Sequence, residues 1–356
     1  MNRDPILFRV DGTPHVGWEH LARCQTLAAA LQRRRRPTYF LSQLEPASLA
    51  LPLKRAGNEW LDADAPAGVL EDLQEMIQEV RRIQPAAVIV DASEVTESYL
   101  ATLQAAGPMV VSLDSQATIR FPSRLVINPL LGPGREAFEL ADCTQLLTGP
   151  RYALVRSDIR RVRPLRSVEP AQPFRGLVML GDDDPHNQSG ELAKLLLNTP
   201  KVQRVDVVAR PQYPGLAELR ALAEARPERL EIAVEPAEVA ARIARCHFAL
   251  TAGNAASLDL ACVGVPQLVV VQNEVHWPTA QRLEEEGAAI CLGWHANVSS
   301  QTIRETVQGL LGDPQERQAI ARCGRQLIDG RGQDRLVTAL EILLHPSRQI
   351  SFSEAA

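Results

Sequence analysis

Short apolar runs bounded by turn residues alternate with amphipathic stretches of helical length along the whole chain. A run apolar at nearly every position is buried on both faces, as a parallel strand covered by helices must be, and its alternation with helices predicts βαβ units. In the first half Ile6–Val10, Thr38–Leu41, Ala87–Val90, Met109–Leu113 and Leu125–Ile127 predict strands, with helices over His20–Gln32 and Gly68–Ile83. Leu70, Leu73, Ile77 and Val80 form one stripe of the second helix, the face expected to pack on a sheet. From Arg156 to Pro173 the chain is rich in arginine and proline and shows little periodicity, which suits an interdomain connection. Beyond it Gly176–Leu180, Val205–Val208, Leu230–Val234, Phe248–Leu250, Gln267–Val271 and Ala289–Leu292 predict a second series of strands, again interleaved with helices. The expected fold class is α/β: two Rossmann-like domains at 1–157 and 174–345, a linker at 158–173 and a frayed polar tail at 346–356. Ligands of such sheets sit at the carboxyl ends of the strands, so the expected site is the cleft between the two domains.

Composition narrows the function classes. With 356 residues, 45% of them hydrophobic and 23% charged, the chain has material for two cores and is not disordered. Its 38 basic residues are outnumbered by 43 acidic ones, and the net charge of -5 gives no positive field to hold nucleic acid. The one basic run, Arg33 to Arg36, closes an apolar helical pattern and reads as a solvated helix end. Six cysteines without a CxxC pair read as reduced thiols, which places the expected protein in the cytoplasm. No signal-peptide pattern and no uncharged apolar stretch of about 18 residues is present, so no membrane span is expected. Nothing in the sequence fixes an oligomeric state.

The richest chemistry lies between Phe8 and Leu31, where a strand runs out at Asp11-Gly12, a loop carries Gly17 and His20 opens a helix. A helix N-terminus presents unpaired N–H groups and partial positive charge, which favours a phosphate and disfavours an imidazolium. A neutral His20 is then a candidate base with Asp11 to orient it; turn glycines and a histidine that merely begins a helix are the plain alternative. A similar strand, loop and helix surround Thr251-Ala-Gly-Asn254 and Asp259. Asp182, Asp183 and Asp184 invite a metal reading, but adjacent side chains diverge and no histidines stand at ligand spacing, so no metal is expected and Asp184 reads as a helix cap before Pro185. His276 and Trp277 could line the cleft.

In order along the chain, RVDG-x4-GxxH-x2-RC-x2-LA, VIVD (Val88–Asp91), SLD (Ser112–Asp114), LVINP (Leu125–Pro129), TGPRYALVR (Thr148–Arg156), LGDDDPHN (Leu180–Asn187) and TAGNAASLDLACVGVP (Thr251–Pro266) resemble the UDP-2,4-diacetamido-2,4,6-trideoxy-β-L-altropyranose hydrolases of pseudaminic acid biosynthesis. That family has the GT-B fold and is similar to the glycosyltransferase that adds N-acetylglucosamine in peptidoglycan synthesis. The resemblance implies a UDP-sugar as the small-molecule partner, no cofactor, and metal-independent attack of water at the anomeric carbon with inversion. It implies His20 as the group that activates water, with Asp11 beside it, Gly17, Glu19 and Asn273 on the substrate, and Gly181, Gly253, Asn254 and Asp259 on the nucleotide, Asp259 accepting from the ribose hydroxyls.

The chain departs from that family where the loops meet the diphosphate. Glu19 replaces the second glycine of GxGH, Asp182 replaces a paired glycine, a GGST-like turn reads Gly253-Asn254-Ala255-Ala256, and Asp91-Ala92-Ser93-Glu94 lacks an aromatic. Negative side chains beside a diphosphate raise its electrostatic cost. Three readings follow: a nucleotide-sugar hydrolase, an inverting glycosyltransferase in which Glu19 assists as base, and a catalytically silent protein of the same fold.

Overall fold

A computed structural model describes residues 3–181, 184–234 and 236–345. The expected tail at 346–356 and the departure at Asp182, with its neighbour Asp183, lie outside the described residues. The first lobe contains β1 (Ile6–Arg9), β2 (Thr38–Ser42), β3 (Glu59–Asp62), β4 (Ala87–Val90), β5 (Met109–Leu113), β6 (Arg120–Phe121), β7 (Leu125–Ile127), β8 (Glu139–Leu140) and β9 (Gln145–Leu147). Apart from β6 and β8, which pair with each other, these strands form one parallel sheet in the order β3-β2-β1-β4-β5-β7-β9. The second lobe carries β10 (Arg175–Met179), β11 (Arg204–Val208), β12 (Leu230–Ala233), β13 (Phe248–Thr251), β14 (Gln267–Val271) and β15 (Ile290–Trp294), also parallel, in the order β12-β11-β10-β13-β14-β15.

Each sheet therefore reverses its winding beside its first strand: between β1 and β4 in one lobe and between β10 and β13 in the other. Loops that leave these strand pairs turn to opposite sides and open a crevice, the usual ligand position of an open α/β sheet.

Alternation along β1 sorts the first lobe into two layers. Ile6, Phe8 and Val10 join Leu21, Cys24 and Leu27 of the helix Glu19–Arg33 on one face, while Leu7 joins Met76, Val80 and Tyr99 on the other. Arg9 shares the face of Leu7 and is fully buried. Its guanidinium meets Asp72 and Asp11, each at 2.5 Å, and the Tyr99 hydroxyl donates to Asp72 at 2.7 Å. Asp72 enters this layer from the helix Leu70–Ile83, which explains a difference from the expected stripe: Asp72, Met76 and Val80 form the buried line, Leu73 and Ile77 flank it, and Leu70 is exposed.

The chain crosses between the lobes more than once. The helix Gly332–Leu344, expected with the second domain, places Leu336, Val337 and Leu340 in the first lobe's core against the helix Glu19–Arg33. Arg36 is buried and grips Glu341 with two bonds of 2.9 and 3.0 Å, so the basic run is solvated only over Arg33, Arg34 and Arg35. The linker is folded too: its helix Ser157–Val162 puts Ile159 into the second lobe's core. All six cysteines are free thiols. Among the described residues no helix is long and apolar enough to cross a membrane.

Candidate active site

Asp11 and Asp91 both stand just past the carboxyl ends of neighbouring strands, yet strand parity separates them. Asp11 shares parity with Arg9, on the face away from the helix Glu19–Arg33; Asp91 shares parity with Ile89, on the face of that helix. The structure accordingly corrects the expected partner of His20. Asp11 accepts from Arg9 and from the backbone N–H groups of Gln43 and Ala67, both at 2.8 Å, and so ties three loops together. His20 Nδ1 instead lies 2.6 Å from Asp91 Oδ1. Arg23, one turn further along the helix, donates from Nε to Asp91 Oδ2 at 2.6 Å and from Nη2 to Oδ1, and the Cys24 thiol donates to Oδ2 at 3.3 Å.

This geometry sets the state of the carboxylate. Burial pushes the Asp91 carboxyl up, but the Arg23 guanidinium and His20 outweigh it and hold the group well below the usual carboxylate range. An ionised carboxylate only accepts, so the hydrogen of the 2.6 Å contact is carried by Nδ1, and Arg23 Nη2 also stands 3.0 Å from that nitrogen. The side chain of His20 is 21% exposed while Asp91 is fully buried, so the open end of this pair is the imidazole.

Glu19, the residue before the base candidate, reaches the second lobe. Its Oε1 accepts from the backbone N–H of Ala255 at 3.1 Å. Ala255 is the first residue of the helix Ala255–Val263, which leaves β13 through Gly253-Asn254. Asn254 caps this helix through Ala256 N–H at 3.2 Å and returns its amide to Leu180 O at 2.9 Å. Gly181, two residues past the end of β10, runs at φ +111°, and a Cβ there would stand 2.1 Å from Asn254 Nδ2. Gly181 and Asn254 are thus brought together by close approach, and Gly253 adopts φ +81° to turn the chain into the helix.

Between these elements lies a cavity of about 270 Å³, lined by Glu19 and Arg23 of the first lobe, by Arg156, and by Gly181, Arg210 and Asp259 among residues of the second. Asp259 is 6% exposed and accepts from Arg156 N–H at 3.4 Å; burial pushes its carboxyl up to about 7 despite Arg156. Unfolded, the group ionises near pH 4, so the folded chain binds the extra proton and stability falls as pH rises through roughly 4 to 7. Asp259→Asn is expected to be more stable than the parent at pH 8, with the gap closing towards pH 4 in thermal melts. A pH-independent gap would contradict this.

Other expected residues stand elsewhere. Gly17 makes the turn into the first helix at φ +84°, its N–H bonded to Thr13 O at 2.8 Å. Asn273 is exposed, caps Val275 N–H at 3.1 Å and is not part of the cavity lining. Trp277 is exposed, whereas burial lowers the pKa of His276, which feels the charges of Glu19 and Arg23 across the cleft. Asp184 accepts from Gln188 N–H and Ser189 N–H at 2.9 and 2.8 Å, capping a helix that begins later than expected, at Ser189. Sequence reasoning missed Asp91 and Arg23 as partners of His20; VIVD at the end of a central strand was the available signal.

No family model matches the chain. It is 22% identical over 345 residues to the spore coat polysaccharide biosynthesis protein SpsG of Bacillus subtilis (strain 168), covering 94% of this chain and 96% of that protein. Among solved structures it is similar to MurG of Acinetobacter baumannii, with TM-score 0.63 and 16% identity over 95% of this chain and 99% of that one. It is also similar to the spinosyn rhamnosyltransferase SpnG complexed with thymidine diphosphate, with TM-score 0.66 and 17% identity over 95% and 100%. The fold is GT-B, with two Rossmann-like halves of parallel sheet.

Proposed function

We propose that this chain is a nucleotide-sugar enzyme of polysaccharide or glycoconjugate synthesis that breaks the bond between a sugar's anomeric carbon and a nucleoside diphosphate, with water as the attacking group. The observation that carries the reading is the His20–Asp91 contact of 2.6 Å, joined through Arg23 to an interlobe cavity that ends at a helix N-terminus; Arg23 lines that cavity and His20 itself does not. SpsG, named for spore coat polysaccharide synthesis, and a rhamnosyltransferase that binds thymidine diphosphate support the nucleotide-sugar class. The choice of UDP and of a diacetamido-trideoxy sugar rests on the resemblance of the motifs.

In this reading the diphosphate lies towards the first turn of the helix Ala255–Val263, whose partial positive charge stabilises the leaving group. Asp259 accepts from the ribose hydroxyls, and Gly181 and Gly253 allow the chain to pass close to the nucleotide. His20 Nε2 removes a proton from water as its oxygen bonds to the anomeric carbon. The bond from the anomeric carbon to the diphosphate oxygen breaks, and the nucleoside diphosphate departs with the electron pair.

A second reading replaces water with an acceptor hydroxyl, and the likeness to the rhamnosyltransferase favours it. The test is release of UDP from the UDP-linked altropyranose. Steady release without an acceptor is the expected result; release only when an alcohol acceptor is added would transfer the reading to a glycosyltransferase. Binding of the UDP-sugar with no release in either case would sink both.

A further inference from the structure

We propose that Glu19 is an internal stand-in for phosphate, a latch that holds the two lobes together at the cleft and must be exchanged for the ligand's diphosphate. This inference rests on the nucleotide-sugar reading above and deepens it. Four donors at the turn before and into the helix Ala255–Val263 already have acceptors. Gly253 N–H donates to Ser257 Oγ at 3.0 Å, Ala256 N–H to Asn254 Oδ1 at 3.2 Å and Ser257 N–H to Asn254 O at 3.0 Å. All three acceptors are local to the turn. Ala255 N–H alone among these four is satisfied from the other lobe, by the carboxylate of Glu19 at 3.1 Å.

The Glu19–Ala255 contact borders open space. The interlobe cavity opens beside this turn, and Asp259, one turn into the helix and nine-tenths buried, belongs to its lining together with Glu19 itself. A phosphate that seeks Ala255 N–H meets the Glu19 oxygen already there. The two anions cannot share one N–H, and like charges this close repel. Removing the local acceptors would unwind the turn, whereas Glu19 can swing away as a side chain. The first side chain of the helix Glu19–Arg33 thereby becomes a gate: this tie joins the lobes across the cleft when it is empty, and binding of the diphosphate releases it.

Affinity measurements by calorimetry with UDP, inorganic pyrophosphate and uridine separate the latch from the nucleotide reading. Glu19→Ala and Glu19→Gln are expected to bind UDP and pyrophosphate at least tenfold more tightly than the parent, with Glu19→Ala showing the larger gain and uridine unchanged in both. Equal or weaker binding of UDP and pyrophosphate by folded variants would overturn the latch, while UDP binding by the parent would leave the nucleotide reading standing. If the variants gain affinity for pyrophosphate while UDP binds no better than pyrophosphate, the latch survives and the nucleotide reading fails. Absence of binding of all three probes to parent and variants would overturn both.

Discussion

Replacing His20 with alanine is expected to lower the rate of UDP release by about 10²–10⁴-fold with little change in UDP affinity, because the imidazole acts on the proton of the attacking group and not on the nucleotide. Asp91→Asn is the companion experiment. The amide removes the acceptor that keeps hydrogen on Nδ1, and Arg23, bonded to Asp91 through Nε and Nη2, loses its counter-charge. Two groups that act as a unit give non-additive losses, so the double variant is expected to be little worse than His20→Ala alone. Folded His20→Ala protein with full turnover would remove the imidazole from the chemistry. Additive losses would mean that Asp91 acts through Arg23 and the fold instead of through His20.

The second large effect concerns stability. Arg9→Met is expected to destabilise the chain by about 3–5 kcal/mol, read as a lower urea midpoint at constant slope. Arg9 is fully buried and bonded to two carboxylates, so its loss strands Asp11 and Asp72 as buried charges without a cation. Asp11 would still accept from Gln43 and Ala67, and Asp72 from Tyr99 and Gly68, so part of each charge remains solvated by the protein. A change below about 1 kcal/mol would show the network to be no more than a neutral alternative to apolar packing, as some buried ion pairs are.

The interior strands were readable because they are apolar at nearly every position. β4, β5, β10, β13 and β14 lie inside their sheets and are covered on both faces, so burial writes a nearly continuous apolar run, with polar residues such as Arg175, Thr251 and Gln267 at strand ends. Two strands of the first sheet escaped for the opposite reason. β3 and β9 are its edges, they are exposed or half-buried along their length, and Glu59, Asp62 and Gln145 break the pattern. The helix Gly332–Leu344 looks amphipathic in sequence, but no local signal says which of two cores its apolar face will meet, and it returns to the first.

The site was half legible. His20, Gly253 and Asn254 could be picked out because each follows a strand or opens a helix, a local pattern that sequence spacing preserves, whereas Asp259 was singled out by the resemblance of the motifs. The pairing of His20 could not be read from spacing: Asp11 is nearer along the chain, but Asp91, 71 residues away, is the one on the correct face of the neighbouring strand. Strand parity held that information, since Phe8 and Val10 face the helix and Arg9 and Asp11 do not. The Glu19–Ala255 contact joins residues 236 apart from different lobes, and only the assembled cleft reveals it.

The most direct measurement is a crystal structure with UDP bound. The expected result puts the diphosphate within hydrogen-bond distance of Ala255 N–H with Glu19 displaced, the ribose against Asp259, and His20 Nε2 open towards the β-phosphate end. UDP seated away from the interlobe cavity, with Glu19 still on Ala255 N–H, would contradict the account.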